Sequence, residues 1–161
     1  MVPAIPSRVP SALERDGFFD DHVFHRHIVV IALARGLYGP DLVDHIGAAY
    51  NLAKQFHPKS NNWLGFVIEI AGKRIYYAGD TDATDEMKAL KNIDLALLPA
   101  GGKYTMNADE AADATKQFKP KQAIPYHWGD IVGSQADADN FKKLAACKVT
   151  VLKPGESITV D

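Results

Sequence analysis

Side chains able to bind a metal follow two of the segments that the sequence predicts to be β-strands. Asp80 comes directly after one such segment, and His127 comes directly after another. A third predicted strand leads into the Gly101-Gly102 pair. In α/β sheets, binding sites lie beyond the carboxyl ends of strands, so these loops should converge if the strands are parallel neighbours. Imidazole and carboxylate groups are common ligands of zinc and similar divalent ions.

Each residue alone also has an ordinary structural explanation. An Asp in a Gly-Asp-Thr sequence is commonly a turn or capping residue, because its side chain bonds to nearby backbone N–H groups. A lone His behind a strand is more often a hydrogen-bonded structural residue than a ligand. The spacing alone therefore leaves both roles open for Asp80 and for His127.

The elements that would position these loops alternate between strands and helices from about residue 46 onward. β-Branched and aromatic runs predict strands at 66–70, 74–78, 94–98, 122–126, 149–152 and 157–160, and a turn at 71–73 joins the first two as a hairpin. Capping residues and apolar periodicity predict helices at 82–90, 107–118 and 134–145, the second of which begins with a capping box of Asn107 and Glu110. This alternation indicates an α/β layer structure.

The overall composition narrows the class of protein. The chain has 161 residues, 47% of them hydrophobic, and a net charge of −2, which favours a single globular domain and gives nucleic acid little support as a partner. No apolar run approaches the roughly 18 residues that span a bilayer, and the first residues lack a signal-peptide pattern, so no membrane partner is expected. The one cysteine, Cys147, excludes an internal disulfide. It is interpreted as a buried hydrophobic residue, and the prediction is a cytoplasmic protein.

Four ordered motifs point to a family. They are His57 to Glu69, Tyr77 to Asp82, Leu97 to Met106 and Ile124 to Gly129. Together they resemble the later motifs of the metallo-β-lactamase superfamily, in particular the metal-dependent hydrolases that include ascorbate-6-phosphate-lactonase-like proteins. The resemblance covers residues 46–161, which are interpreted as a C-terminal half-domain.

The resemblance implies a metal site and an activity. His57, Asp80 and His127 correspond to metal ligands, with Asp80 bridging two metals. The cofactor would be a divalent metal, zinc before manganese or iron. The implied function is a metal-dependent hydrolase that cleaves a small-molecule ester, lactone or phosphoester through metal-activated water.

Further roles are inferred from position in these motifs. Asp80, His127 and Tyr104 form the predicted catalytic set. Donors from Gly101, Gly102 or Thr105 would stabilise the developing oxyanion, and Trp128 would line the substrate pocket. Packing roles stay open for Tyr104 and Trp128.

The family's first motif, His-x-His-x-Asp-His, is missing. Residues 1–45 are therefore interpreted as an atypical, His-rich N-terminal segment. Within it, His22, His25 and His27 are possible additional metal ligands, although their order differs from the family motif. The alternative is a polar surface turn that is rich in histidine.

The resemblance also implies an incomplete architecture. The fold would be half of an α/β/β/α sandwich, a mixed sheet with flanking helices that leaves one apolar sheet face uncovered. That face would contain Phe66, Ile68, Ile70, Leu95 and Leu97. Large apolar patches usually mark interfaces, so a homodimer or an assembly of dimers is predicted. The alternative function is a non-catalytic, oligomeric remnant, with or without bound metal; the intact later motifs favour the hydrolase.

Overall fold

The structure, a computed structural model, describes residues 43–129 and 132–160. These described residues belong to the unit Pro40–Asp161 of the chain. The patch 20–27, with His22, His25 and His27, lies outside the described residues.

The described residues form one six-stranded sheet whose strands follow in chain order. The strands are β1 Val43–Ala48, β2 Leu64–Ile70, β3 Lys73–Tyr77, β4 Leu95–Pro99, β5 Gln122–Tyr126 and β6 Lys148–Val149. The pairs β1–β2 and β2–β3 are antiparallel, whereas β3, β4, β5 and β6 run parallel. The sheet is therefore mixed, as predicted, and β1 spans the predicted segment boundary at residues 45 and 46.

Three α-helices and one short 3-10 helix connect the strands in this part of the chain. They are the 3-10 helix Lys59–Asn61, α1 Asp85–Lys88, α2 Ala108–Phe118 and α3 Gln135–Leu144. The capping box of α2 is formed as predicted, because Asn107 Oδ1 accepts from Glu110 N at 2.8 Å and Glu110 Oε2 accepts from Asn107 N at 2.9 Å.

The helix predicted at 82–90 is wrong in length. The observed α1 begins only after Thr84, whose hydroxyl accepts from Met87 N at 3.2 Å. The side chain of Asp82 is bound to Leu52 N at 2.9 Å, so that residue belongs to a loop contact and not to the first helical turn. Tertiary contacts thus shorten the element.

Two C-terminal strand predictions also differ from the structure. The strand predicted at 149–152 is reduced to Lys148–Val149, and residues 157–160 form no strand. Thr150 N still donates to Ala123 O at 3.0 Å. In a parallel ladder, the next bond would need a donor at residue 125, and Pro125 has no N–H. The ladder therefore ends there.

The hydrophobic core lies between the sheet and its helices. The register aligns Val67, Tyr76, Ala96 and Ala123 across four strands, and all four are buried. The helices cover this face with apolar residues that include Met87, Ala111, Phe118 and Phe141. Cys147 packs half-buried against this core, and burial raises the pKa of its thiol to about 11. Cys147 is therefore less buried than predicted, although it packs against the core.

The opposite sheet face is apolar and only partly covered. Phe66, Ile68 and Leu97 are half-buried, and Ile70 is 38% exposed. Leu95 differs from the prediction, because it is buried with 6% of its surface accessible. No helix in the described ranges is long and apolar enough to cross a membrane.

Candidate metal centre

The candidate site lies at the carboxyl ends of β3, β4 and β5, where parallel pairing brings three loops together. Ala78 N donates to Leu97 O at 3.1 Å, and Ala100 N donates to Tyr126 O at 3.0 Å. These bonds extend the strand pairing into the loops. A fourth loop, between β1 and β2, brings His57 to the same edge.

The carboxylate of Asp80 lies between two imidazoles. Asp80 Oδ2 is 3.6 Å from His57 Nε2 and 3.6 Å from His127 Nε2. This separation is longer than a normal hydrogen bond. Two ligands that bind one zinc ion at about 2.0–2.2 Å with tetrahedral angles lie about 3.4 Å apart, so the spacing fits a cation between each pair.

Among the described residues, no group of three or more His, Cys, Asp and Glu side chains is arranged to hold a single metal ion. The two imidazoles instead approach the same atom, Asp80 Oδ2. The bridging role of Asp80 between two metals stays a prediction.

His57 is oriented by two oxygen acceptors on the far side of its ring. Its Nδ1 lies 3.1 Å from Asn51 Oδ1 and 3.0 Å from the main-chain oxygen of Tyr104. A neutral imidazole in this setting carries its proton on Nδ1, which leaves the lone pair of Nε2 facing Asp80. The edge of Trp63 packs against the ring, with centroids 4.9 Å apart.

The residues that organise this loop could not be recognised in the sequence. Asn51 Nδ2 donates to Asp82 Oδ1 at 3.2 Å, and Lys54 Nζ donates to the same oxygen at 2.5 Å. Asp82 is the last residue of the motif Tyr77 to Asp82, which does not by itself indicate its structural role. No local pattern marks these contacts, because the partners lie about thirty residues apart in the sequence.

His127 is held by close packing of the backbone. It adopts a left-handed conformation with φ of 57°. Gly101 passes so close that a Cβ atom there would lie 2.0 Å from His127 O. Within the described residues, His127 Nδ1 is buried and has no hydrogen-bond partner. A metal-binding histidine usually donates from its second nitrogen, so this atom marks a position where a partner group is expected.

Two tyrosines, Tyr77 and Tyr126, lie next to the loop that carries Asp80. The rings of Tyr77 and Tyr126 stack with centroids 5.2 Å apart, and Tyr126 Oη donates to Gly79 O at 2.5 Å. Burial, followed by the charge of Asp80, raises the pKa of Tyr77 to about 12. Burial also raises the pKa of Tyr126 well above its ordinary value. Both hydroxyls therefore stay protonated near neutral pH.

The loop 101–106, which contains predicted substrate-binding residues, is held in place by hydrogen bonds within the loop. Gly102 N already donates to Met106 O at 2.9 Å, and Thr105 is completely buried. Neither group is therefore available to substrate in this conformation, since the N–H is occupied and the hydroxyl is covered. Gly101 lies against His127 O, as described above, and its substrate role stays a prediction.

The predicted aromatic residues contact the site in a different way. Tyr104 reaches His57 through its main-chain oxygen, while its ring packs edge-on against Phe56 with centroids 4.8 Å apart. Trp128 is half-buried, and its Nε1 donates to Pro125 O at 3.1 Å. The catalytic role of Tyr104 and the pocket role of Trp128 stay predictions.

The chain matches one family profile over most of its length. Residues 6–128 match the family described as Beta-lactamase superfamily domain. The match begins at residue 6, inside the segment that the sequence analysis placed outside the resemblance. The assignment of the chain to a C-terminal half therefore stays a prediction.

Similar curated proteins are named UPF0173 metal-dependent hydrolases. One from Symbiobacterium thermophilum is 42% identical over 115 residues, which cover 65% of this chain and 51% of that protein. One from Thermococcus onnurineus is 41% identical over 131 residues, covering 74% and 58%. The chain thus spans about half the length of the curated relatives it matches.

Three solved structures illustrate the similarity in fold. A metal-dependent hydrolase from Parabacteroides distasonis has a TM-score of 0.57 and 36% identity, covering 66% of this chain and 49% of that one. A metallo hydrolase from Ignicoccus hospitalis has a TM-score of 0.55 and 29% identity, covering 70% and 51%. A metallo-beta-lactamase fold protein from Bacillus subtilis, with a TM-score of 0.53 and 14% identity over 67% and 45%, supports the fold alone. The mixed sheet, its flanking helices and the family match together show that the chain belongs to the beta-lactamase superfamily.

Proposed function

We propose that this chain is a metal-dependent hydrolase of small esters, lactones or phosphoesters. The observation that supports it best is the position of Asp80 Oδ2, 3.6 Å from an imidazole nitrogen of both His57 and His127. The names of the relatives, which are metal-dependent hydrolases, agree with this proposal.

The side chains present fit a divalent cation. His57, Asp80 and His127 offer two imidazole nitrogens and a carboxylate, the donor set that zinc prefers. All three are largely buried, with 13%, 15% and 18% of the side chains accessible, so little water competes for the charge of Asp80. A divalent ion held there would lower the pKa of a bound water towards 7 and polarise the bond under attack.

Two tyrosines beside the proposed ligands are excluded as catalytic bases. Tyr77 and Tyr126 lie against the Asp80 loop and keep their hydroxyl protons near neutral pH, because burial raises the pKa of both, so they cannot act as bases there. The resemblance to ascorbate-6-phosphate-lactonase-like proteins favours a lactone or a phosphorylated small molecule as substrate. Zinc is the favoured metal, and the single cysteine favours the cytoplasm as location.

The half-covered sheet face supports an assembly of two or more copies. Phe66, Ile68 and Ile70 lie on this face and keep apolar surface in contact with solvent. Because such patches usually mark interfaces, a homodimer, or an assembly of dimers, is proposed. Further metal ligands would come from the partner copy or from His22, His25 and His27. A stable monomer in size-exclusion chromatography with light scattering would contradict the assembly.

A specific observation favours the rival function, a non-catalytic remnant. The described residues hold no group of three or more His, Cys, Asp and Glu side chains around one point. In that case, the chain would be an oligomeric protein, with or without bound metal. The wild type would have no hydrolase activity, and replacing Asp80 would therefore change none.

The deciding experiment measures metal per chain by elemental mass spectrometry on untagged protein purified without chelator. We expect about one or two divalent ions per chain, and a loss of metal in Asp80→Ala, which removes the shared carboxylate. Asp85→Ala is the matched control, because its side chain is 98% accessible and lies outside the site. If the wild-type chain holds no metal and takes none up, the hydrolase proposal fails. Metal uptake without hydrolysis of lactones and phosphoesters would support the remnant.

A further inference from the structure

We propose that Asn51, whose own amide is held by Asp82, is a positioning residue that fixes the ring of His57 and keeps its Nε2 unprotonated towards Asp80. The inference rests on the proposed function, because it assigns a purpose to His57 as a ligand. It adds a residue that the motifs do not identify and that touches none of the reacting atoms.

Asn51 holds His57 through three contacts. Its Oδ1 accepts from His57 N at 3.0 Å and lies 3.1 Å from His57 Nδ1, while Asn51 N donates to His57 O at 2.7 Å. These bonds close the loop between the two residues. Asn51 is buried, with 7% of its surface accessible, so water does not compete for these contacts.

The orientation of the Asn51 amide is decided by its other partners. Its Nδ2 donates to Asp82 Oδ1 at 3.2 Å and to Tyr104 O at 3.0 Å. A carboxylate and a carbonyl can only accept, so the NH₂ group must face them. The amide oxygen must consequently face His57, and the reverse orientation would break the three hydrogen bonds with Asp82, Tyr104 O and His57 N.

Asp82 is in turn held firmly. Its Oδ2 accepts from Leu52 N at 2.9 Å, and its Oδ1 accepts from Lys54 Nζ at 2.5 Å. The positive charge of Lys54 balances the buried carboxylate, so the acceptor of the Asn51 amide is fixed in place. A continuous chain of contacts therefore runs from Lys54 through Asp82 and Asn51 to the ring of His57.

The consequence for a metal ligand is twofold. Two oxygens, from Asn51 and Tyr104, accept from Nδ1 and select the tautomer that leaves Nε2 free. The same contacts fix the ring orientation before a cation arrives. Removal of such an outer partner typically lowers metal affinity about 10–100-fold.

The test compares Asn51→Ala with the wild type in two measurements. The first is Zn²⁺ affinity by competition with a chromophoric chelator, and the second is the tautomer of His57 in the metal-free protein by ¹⁵N NMR, assigned with His57→Gln. We expect an Nδ1-protonated His57 in the wild type, and in Asn51→Ala a mixture of tautomers with affinity lowered about 10–100-fold. Asn61→Ala is the matched control, because its side chain is exposed in the same loop, and its affinity should equal that of the wild type.

The outcomes separate this inference from the proposed function. If the wild type binds Zn²⁺ and Asn51→Ala binds it equally tightly, the positioning role is overturned while the proposed function stands. If the wild type takes up no Zn²⁺, the proposed function fails, and the two tautomer spectra alone decide the orienting role. An Nε2-protonated His57 in the wild type overturns the inference even if Asn51→Ala does not fold.

Discussion

Gly101→Ala should damage the site through the backbone alone. A Cβ atom at residue 101 would lie 2.0 Å from His127 O, 3.1 Å from His127 C and 3.2 Å from Val132 Cγ2. Real Cβ atoms stay at least about 3.0 Å from such neighbours, so the two loops must separate by about 1 Å. The nearest atom belongs to the backbone and cannot rotate away, unlike the end of a flexible side chain.

The magnitude follows from this displacement. Overpacking typically costs about 1–3 kcal/mol, and a clash between two backbone segments should lie at the upper end of that range. A shift of about 1 Å in a positioned group can lower a reaction rate about 100-fold. We therefore expect Gly101→Ala to lose about 3 kcal/mol of unfolding free energy and, in the folded fraction, to bind metal more weakly through the displaced His127.

The assay is urea unfolding followed by circular dichroism, combined with metal uptake at a urea concentration where the variant stays folded. The control is Gly72→Ala, where φ is 72° but no atom lies within 4 Å of the added Cβ. The control should lose only about 1–2 kcal/mol from backbone strain and should keep its metal affinity. A Gly101→Ala chain with wild-type stability and wild-type metal affinity would refute the close approach and its role in holding His127.

Three further predictions concern stability. Asp94 accepts from Arg74 N at 2.8 Å and pairs with Lys121 at 2.7 Å, and these contacts lower its pKa below 3.8. Asp94→Asn should therefore have a free energy of unfolding about 1–3 kcal/mol lower than the wild type at pH 7. This difference should disappear as the pH falls below 3.8 and Asp94 of the wild type becomes protonated, so an undiminished difference at pH 2 would contradict the prediction. Tyr126→Phe removes the bond to Gly79 O and should cost about 1 kcal/mol in urea unfolding, with weaker metal uptake; unchanged values would show that the bond is not needed. Asn107→Ala removes the α2 cap and should lower stability by about 1 kcal/mol, whereas Asn107→Ser should recover most of it.

Elements whose determinants are local could be predicted from the sequence. The α2 cap depends on Asn107 and Glu110, three residues apart, and the β2–β3 hairpin depends on a turn at Ala71 and Gly72. Both are formed as expected, since the residues that stabilise them are neighbours in the chain. The convergence of the loops after β3, β4 and β5 also follows from a general property of parallel strands.

Elements whose limits depend on distant partners could not be predicted. The short β6 ends because Pro125, on another strand, offers no N–H, although Val151 and Leu152 have strand-like side chains. The helix α1 starts late because Asp82 is bound to a loop that precedes it by thirty residues. In both cases the sequence pattern predicts the correct type of element, strand or helix. A residue that is distant in the sequence determines where that element begins or ends.

The same distinction separates the two layers of the candidate site. Asp80 and His127 were candidates because each lies just beyond the end of a strand, β3 or β5, and the resemblance to the family motifs assigned them a metal-binding role. Asn51 could not be identified, because its importance lies in bonds to Asp82 and Tyr104, which are 31 and 53 residues away. Sequence motifs thus indicate which groups can bind a cation, whereas the surrounding hydrogen bonds decide how firmly those groups are held. If the Asn51 network acts as proposed, a chain that keeps the motifs but loses this network should still fold, but the ring of His57 should no longer be held in one orientation and metal binding should weaken.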